Sequence, residues 1–414
     1  MKTAVWLYLF LFVAFFDLHA QYPILTPYAV SLGAAPSFIG LMMGLYSITH
    51  LPGNMIAGFS VDRYGSRMFI VFSLLGAGII LLLQSRAANP WQLLVLRSIS
   101  GFVLAFLSPA CMALLARMAR SSEQQGKLMA GNGLVHTLAS VFSPAAGAYL
   151  VAKLGFTMAF YLLGWILIAT AVCALLFVRD QPAETYSNVQ PGKAAAIGPR
   201  SERGGRAGRN RLSLASHTAP AAAELPHGSD SSRSYPWLVF LLPVALSCSQ
   251  GILSFELPLM NTTKEGIMTT GLLFSVVSAG GLITLSMLFL NRLSAFRRSL
   301  WGAFMLALVY FAIAFGVGAP FALMLLLVGM AKGIIFPALS TLLIELSGSS
   351  RYGRTFSFLS IAFSVGSFLG PMLAGHLRHL VSPYYISFVV LMLAVTLLPF
   401  HGGGRKISAR THFT

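Results

Sequence analysis

Charge is what this sequence has least of. Charged residues fill 9% of its 414 positions, whereas a soluble domain carries about a quarter, and this argues against a water-soluble fold. Acids are scarcer still: 11 Asp and Glu stand against 28 Lys and Arg, for a net charge of +17. Cysteine is almost absent. Cys111, Cys173 and Cys248 each fall inside an apolar run, and none has metal-ligand spacing to another, so they read as packing residues and no metal site is expected. Nucleotide-binding loops are missing, and no cluster of His, Asp or Ser suggests bond chemistry. Neither an enzyme nor a cofactor-bearing protein is expected.

What is present is hydrophobic, 56% of the chain, and it comes in long blocks. Residues 68–85 and 156–178 hold no charge at all. Each is long enough to cross a hydrocarbon layer of ~30 Å as a helix, and a spanning segment must satisfy its own backbone polar groups. Such blocks place spans at roughly 4–31, 37–60, 68–86, 91–118, 128–152 and 156–178, then 236–258, 267–290, 299–317, 320–346, 354–376 and 384–400. The expected architecture is an all-α membrane protein of twelve transmembrane helices. An amino-terminal six-helix bundle covers 1–178, a linker 179–235, a carboxy-terminal six-helix bundle 236–400, and a tail 401–414. Within the linker, residues 199–232 are rich in Gly, Ser, Ala and Arg and poor in large apolar side chains, so disorder is expected there. The first twenty residues look like a secretory leader. Asp17 suits a cleaved segment badly, and six spans need this one, so retention is expected.

The basic residues orient the chain. With the amino terminus in the cytoplasm, inside segments receive twenty-two Lys and Arg and outside loops four: Arg86, Lys153, Lys264 and Arg378. Both termini are therefore expected inside a plasma (inner) membrane. The positive charge describes membrane orientation, and no nucleic-acid partner is expected. The expected partners are the bilayer, protons and a small-molecule substrate, with the chain acting as a monomer.

The two halves echo each other. Gly101, Pro109-Ala110 and Leu114-Leu115 of span 4 recur as Gly329, Pro337-Ala338 and Leu342-Leu343 of span 10, always 228 residues on. Pro144 of span 5 recurs as Pro371 of span 11 at an offset of 227. A shared offset across two spans implies internal duplication, with substrate binding between the halves near the midplane.

Between spans 2 and 3 the chain reads Gly58-Phe59-Ser60-Val61-Asp62-Arg63-Tyr64-Gly65-Ser66-Arg67. This resembles the G-x-x-x-D-R-x-G-R-R signature of the major facilitator superfamily, and the resemblance extends to span count, linker position and duplication. Gly58 permits close helix approach, and Gly65 a backbone conformation that other residues adopt at a cost. Asp62 ends span 2, where a carboxylate opposes its own helix dipole and favours the amino-terminal end of another helix. The resemblance implies that this partner is span 11 and that Gly58, Asp62, Arg63, Gly65 and Arg67 form a cytoplasmic latch favouring the outward-open state. The plainer reading makes Arg63 and Arg67 anchors alone. Asn291-Arg292 to Arg297-Arg298, the second copy, lacks the acid and the glycine, so the latch is expected on one side only.

Arg97-Ser98-Ile99-Ser100-Gly101 is similar to the family's R-x-x-Q-G motif, which implies proton coupling; a structural tie between spans 1 and 4 is the alternative. Drug–proton antiporters of the family carry G-x-x-x-G-P-x-x-G-G late in span 5. Here Ala139, Ser143-Pro144 and Gly147-Ala148 keep the proline and one glycine, while Gly366, Gly370 and Pro371 of span 11 come closer. These residues are expected to pack helices, and the resemblance favours export.

Ionisable residues inside spans are few: Asp17, His50, Arg97, His136, Glu256 and Lys332. Their cost in lipid marks them as candidates for a cavity. The four full charges fall one each on spans 1, 4, 7 and 10, which line the central cavity in this family. Asp17 is the expected proton carrier with Arg97 its modulating cation, since low dielectric favours the neutral carboxyl and a cation the ionised one. Glu256 is the second candidate for proton coupling, and its place near the outer end of span 7 also reads as a gate or an interfacial residue. Lys332 suits an anionic substrate group or an acid partner. His50 and His136 are more often packing residues. Mixed charge suits a zwitterionic cargo. The expected function is proton-coupled efflux of a small amphiphilic compound or secreted metabolite; nutrient uptake by symport is the alternative.

Overall fold

A computed structural model of the chain describes residues 2–119, 122–178, 237–287, 293–347 and 352–398. The expected linker 179–235 and tail 401–414 lie outside these residues, as do Asn291 and Arg292 and the side chain of Asp62. Among the described residues every regular element is helical.

The first span is two helices, α1 (Lys2–Ala20) and α2 (Tyr22–Ser31), with Gln21 between them. The break follows from Pro23 and Pro27, whose rings cannot donate to the carbonyls four residues earlier. Then α3 (Pro36–Tyr64) runs to Gly65, whose φ of 90° turns the chain directly into α4 (Ser66–Gln84). A side chain at Gly65 would be strained by that backbone angle.

Span 4 is also broken, into α5 (Pro90–Leu104) and α6 (Leu107–Met118). Pro109 stands four residues beyond Ala105 and leaves that carbonyl without its helical donor. Asn89 caps α5 by accepting from the Gln92 amide at 2.9 Å. Spans 5 and 6 lie in α7 (Ser122–Phe177), which turns at Gly155 with φ 80°.

The second half repeats the plan with α8 (Leu241–Leu259), α9 (Lys264–Ser286), α10 (Ala295–Ala314), α11 (Phe321–Ser347), α12 (Tyr352–Leu377) and α13 (Pro383–Leu397). Among the described residues, nine stretches are long and apolar enough to span a bilayer. One of them, Lys127–Phe177, supplies two spans across its turn, and Pro383–Leu397 is a shorter apolar helix. With the 29-residue α3, made less apolar by His50, Asn54 and Arg63, the described helices account for twelve.

The surface is inside-out relative to a soluble protein. Phe72, Trp165, Leu176, Trp301 and Leu393 are exposed, while Ser73, Gln84, Arg97 and Ser299 are buried. Duplication shows in the packing: Gly101 of α5 meets the Tyr46 carbonyl of α3, and its counterpart Gly329 of α11 meets the Val277 carbonyl of α9. Small residues let backbones approach where side chains would hold them apart.

The halves meet at one end and part at the other. At the end where the first span finishes, Gly40 of α3 lies against Pro371 of α12, and Gly271 of α9 against Ala148 of α7. Toward the opposite end of α3, a Cβ on Gly58 would meet nothing within 4 Å. A central cavity lies between the halves.

Candidate functional site

The cavity has three adjoining lobes. The first, about 280 Å³, is bounded by Gln21, Tyr22, Tyr46, Arg97, Gln250 and Pro371 among others. The second, about 470 Å³, shares Tyr46 and His50 with it and reaches Phe15, Asn54 and Ser360. The third, about 540 Å³, shares Tyr22 and Gln250 with the first and is walled by His19, His136, Lys332, Phe274 and Phe336. These volumes suit small organic ligands.

Asp17 and Arg97 are joined through an intermediary. Gln21, at the α1–α2 break, donates its amide Nε2 to both Asp17 carboxylate oxygens at 2.9 Å. Its Oε1 accepts from the Arg97 guanidinium at 2.6 Å. This orientation is the one chemistry requires, since a carboxylate only accepts and a guanidinium only donates. Arg97 also lies over the Tyr46 ring at 4.4 Å, a cation–π contact. Asp17, Gln21 and Arg97 are all buried, and Gln21 and Arg97 reach the cavity wall. Asp17 does not line these lobes; it stands behind Gln21, one helical turn away. Sequence reasoning expected Asp17 in the cavity and did not single out Gln21, because a neutral amide leaves no trace in a census of charge.

In the other half, Lys332 of α11 donates to Gln250 of α8 across the cavity wall. Glu256, expected near the cavity, lies elsewhere. It forms an ion pair of 3.3 Å with Arg378, just past α12, at the end where the halves meet. The four full charges therefore do not share one cavity.

His19, which sequence reasoning treated only as part of a leader-like segment, lines the third lobe. Its Nδ1 donates to the Phe15 carbonyl at 2.7 Å, the only role open to a ring nitrogen facing a carbonyl. His19 and His136 stand edge to face, 5.1 Å apart, and His136 packs on Phe15 at 4.7 Å. His50 pairs with Asn54 at 2.9 Å on the wall of the second lobe. Phe255 is fully buried and lines none of these lobes.

At the loop motif, Arg67 donates to the Leu175 carbonyl at 2.5 Å, near the end of α7, and Arg63 is exposed over the Tyr64 ring at 5.3 Å. Among the packing residues, a Cβ on Gly147 would fall 2.5 Å from the Ala20 carbonyl oxygen. Gly366 and Gly370 lie against the α8 backbone near Cys248, and Pro371 packs on Gly251. Pro144 meets Gly271 of α9. Among the described residues no group of His, Cys, Asp and Glu is placed to hold a metal ion.

A fold of twelve spans in two pseudo-symmetric halves around a central cavity defines a class of membrane transporters. The sequence profile of the Major Facilitator Superfamily matches residues 7–371, and the chain belongs to that family. Among curated relatives, it is similar to multidrug resistance protein MdtG of Enterobacter lignolyticus, 31% identical over 43% of each chain. The Serratia proteamaculans protein of that name is 32% identical over 42% of this chain and 43% of its own. A multidrug resistance protein B homolog of Mycobacterium tuberculosis is 29% identical over 38% of this chain and 29% of its own. The alignments thus span less than half the length of these relatives. In fold, the chain is similar to a bacterial homolog of the human lysosomal transporter Spinster, solved in an inward-facing and occupied conformation. The TM-score is 0.72 at 15% identity, over 97% of this chain and 96% of the other.

Proposed function

We propose that the protein is a proton-coupled exporter of small amphiphilic compounds working by alternating access. The observation that carries this reading is the buried relay from Asp17 through Gln21 to Arg97. Protonation of Asp17 turns one of its two acceptor oxygens into a donor and removes the negative charge that balances Arg97. The Gln21 amide then loses one of its two contacts to the carboxyl, and the guanidinium is released toward the cavity. Proton loading and cavity chemistry are thereby coupled through one side chain, without direct contact of acid and base.

The names of the relatives, which refer to multidrug resistance, support export. The excess of basic residues in alternate loops supports placing both termini in the cytoplasm of a cell-membrane protein. In that orientation the loop motif at Gly58–Arg67 lies on the cytoplasmic side. Gly58, Asp62, Arg63, Gly65 and Arg67 then form the latch at that end, closing when the cavity turns outward. Arg67, already holding the end of α7, supplies its fixed point.

The test is transport by purified protein in liposomes with an imposed pH gradient. Wild type should move an amphiphilic dye uphill, and Asp17→Asn should abolish that movement while leaving downhill exchange. Uphill pumping by a stable Asp17→Asn protein would remove Asp17 as the carrier.

A further inference from the structure

Among the described residues, the walls of the cavity carry cationic and imidazole groups and no carboxylate. Arg97 and His50 border the first lobe, and Lys332, His19 and His136 the third, while no described Asp or Glu borders any of the three. Asp17 is turned toward Gln21, and Glu256 is held by Arg378 at the closed end. Arg97 is balanced from behind by Asp17 through the amide. Lys332 has no such partner: its ammonium donates to the neutral Gln250, and no acid shares its lobe.

We infer that the third lobe is the seat of an anionic group on the substrate, a carboxylate or a phosphate, bound by Lys332 with His19 and His136. This deepens the transport reading by naming the chemical class of the cargo, and it replaces the zwitterion suggested by counting charges along the sequence. Three features build the seat. Lys332, His19 and His136 all line this one lobe, so the three groups address one space. The bond from His19 Nδ1 to the Phe15 carbonyl fixes that ring and leaves Nε2 as an acceptor in the neutral imidazole, which becomes a donor to an anion when the ring takes up a proton. His136 is exposed on the lobe and is oriented by edge contacts with His19 and Phe15. Beyond the polar end the wall is apolar, with Phe274 and Phe336, which accommodates the hydrophobic body of an amphiphile. Lys332 is half-buried on the lobe wall, and an anionic ligand supplies the missing counter-charge together with charge-assisted hydrogen bonds.

Binding tests this without transport, so its failure and the failure of the exporter reading are separable. Purified full-length protein in nanodiscs is titrated with three probes of one skeleton: phenylbutyrate, phenylbutylamine and phenylbutanol. Wild type should bind the carboxylate about tenfold more tightly than the neutral alcohol, the gain of one charge-assisted contact, and the amine more weakly than either. Lys332→Met should erase the preference for the carboxylate while the alcohol binds as before, which also reports that the variant is folded. Lys332→Arg should retain most of the preference. Equal binding of carboxylate and alcohol by wild type, or a preference for the amine, would overturn the inference without recourse to any variant. A carboxylate preference that survives in Lys332→Met would place the anion elsewhere and overturn it equally.

Discussion

The two halves of the molecule share a framework and differ in their charges. The offset of 229 residues that relates Asp62 to Asn291 in the loop motifs also relates Gln21 to Gln250. Both glutamines sit on the cavity wall, and each accepts a hydrogen bond from a cation on the fourth span of its half. The charges around them do not correspond. At the same offset Asp17 meets Leu246, and at the offset of 228 Arg97 meets Leu325 and Lys332 meets Leu104. Duplication kept the polar spacer, and each half acquired its ions separately. The amino-terminal half holds an acid and a base that balance across an amide, an arrangement suited to exchanging a proton. The carboxy-terminal half sends its acid, Glu256, to the closed end and leaves Lys332 in the cavity, an arrangement suited to receiving a charged cargo.

The largest expected effect comes from removing the spacers. Gln21→Leu fills the same space but neither donates to Asp17 nor accepts from Arg97. Both charges are then buried without the bonds that ordered them, at a cost of about 3–5 kcal/mol. Gln250→Leu removes one bond from Lys332, which borders an open lobe where water can replace the amide, and costs about 1 kcal/mol. Thermal melting of the two purified variants measures the contrast. Equal losses would mean that the halves treat their cations alike and would break the comparison.

Glu256→Gln sharpens the comparison with a smaller effect. The amide retains a hydrogen bond to Arg378 but removes the ion pair, in which the Arg378 side chain is 24% exposed. Solvent screens such a pair, so the loss is about 0.5 kcal/mol. Melting should hardly move. Both partners belong to the carboxy-terminal half, so the distance between spin labels on the facing ends of α3 and α12 should stay as in wild type. A longer distance would make Glu256 part of a gate rather than a tie within one half.

The fold was legible because hydrophobic blocks announce spans directly. Their interruptions were less so, although they too have local causes: Pro23 and Pro27 break the first span, and Pro109 the fourth. The turn at Gly155 is so tight that spans 5 and 6 run into one another. At the candidate site, the sequence marks the titrating residues Asp17, Arg97, His136 and Lys332 but not who meets whom. The Glu256–Arg378 pair joins residues 122 apart in the chain. Gln21 is neutral and escaped a census of charge; the offset linking it to Gln250 was the available signal. His19 was masked by its resemblance to the end of a leader segment.

The smallest effect on stability, and the sharpest question about asymmetry, belongs to Gly58. A Cβ added there meets nothing within 4 Å, so Gly58→Ala fits the conformation described and should leave melting unchanged or raise it slightly, by about 0.5–1 kcal/mol of helix propensity. Gly101→Ala is the contrast within the same half. Its Cβ would fall 2.5 Å from the Tyr46 carbonyl oxygen where α5 crosses α3, so it should lower stability by about 1–3 kcal/mol. If the latch closes when the cavity turns outward, the α3 end must then approach a neighbour, and the extra methyl of Gly58→Ala acts in that state alone. Turnover should fall severalfold in a protein that melts normally. The matching position in the other half is Met287, a full side chain, as expected if only one side latches. Wild-type turnover by Gly58→Ala would show that no close approach occurs there in either state, and the two loop motifs would then differ in sequence without differing in task.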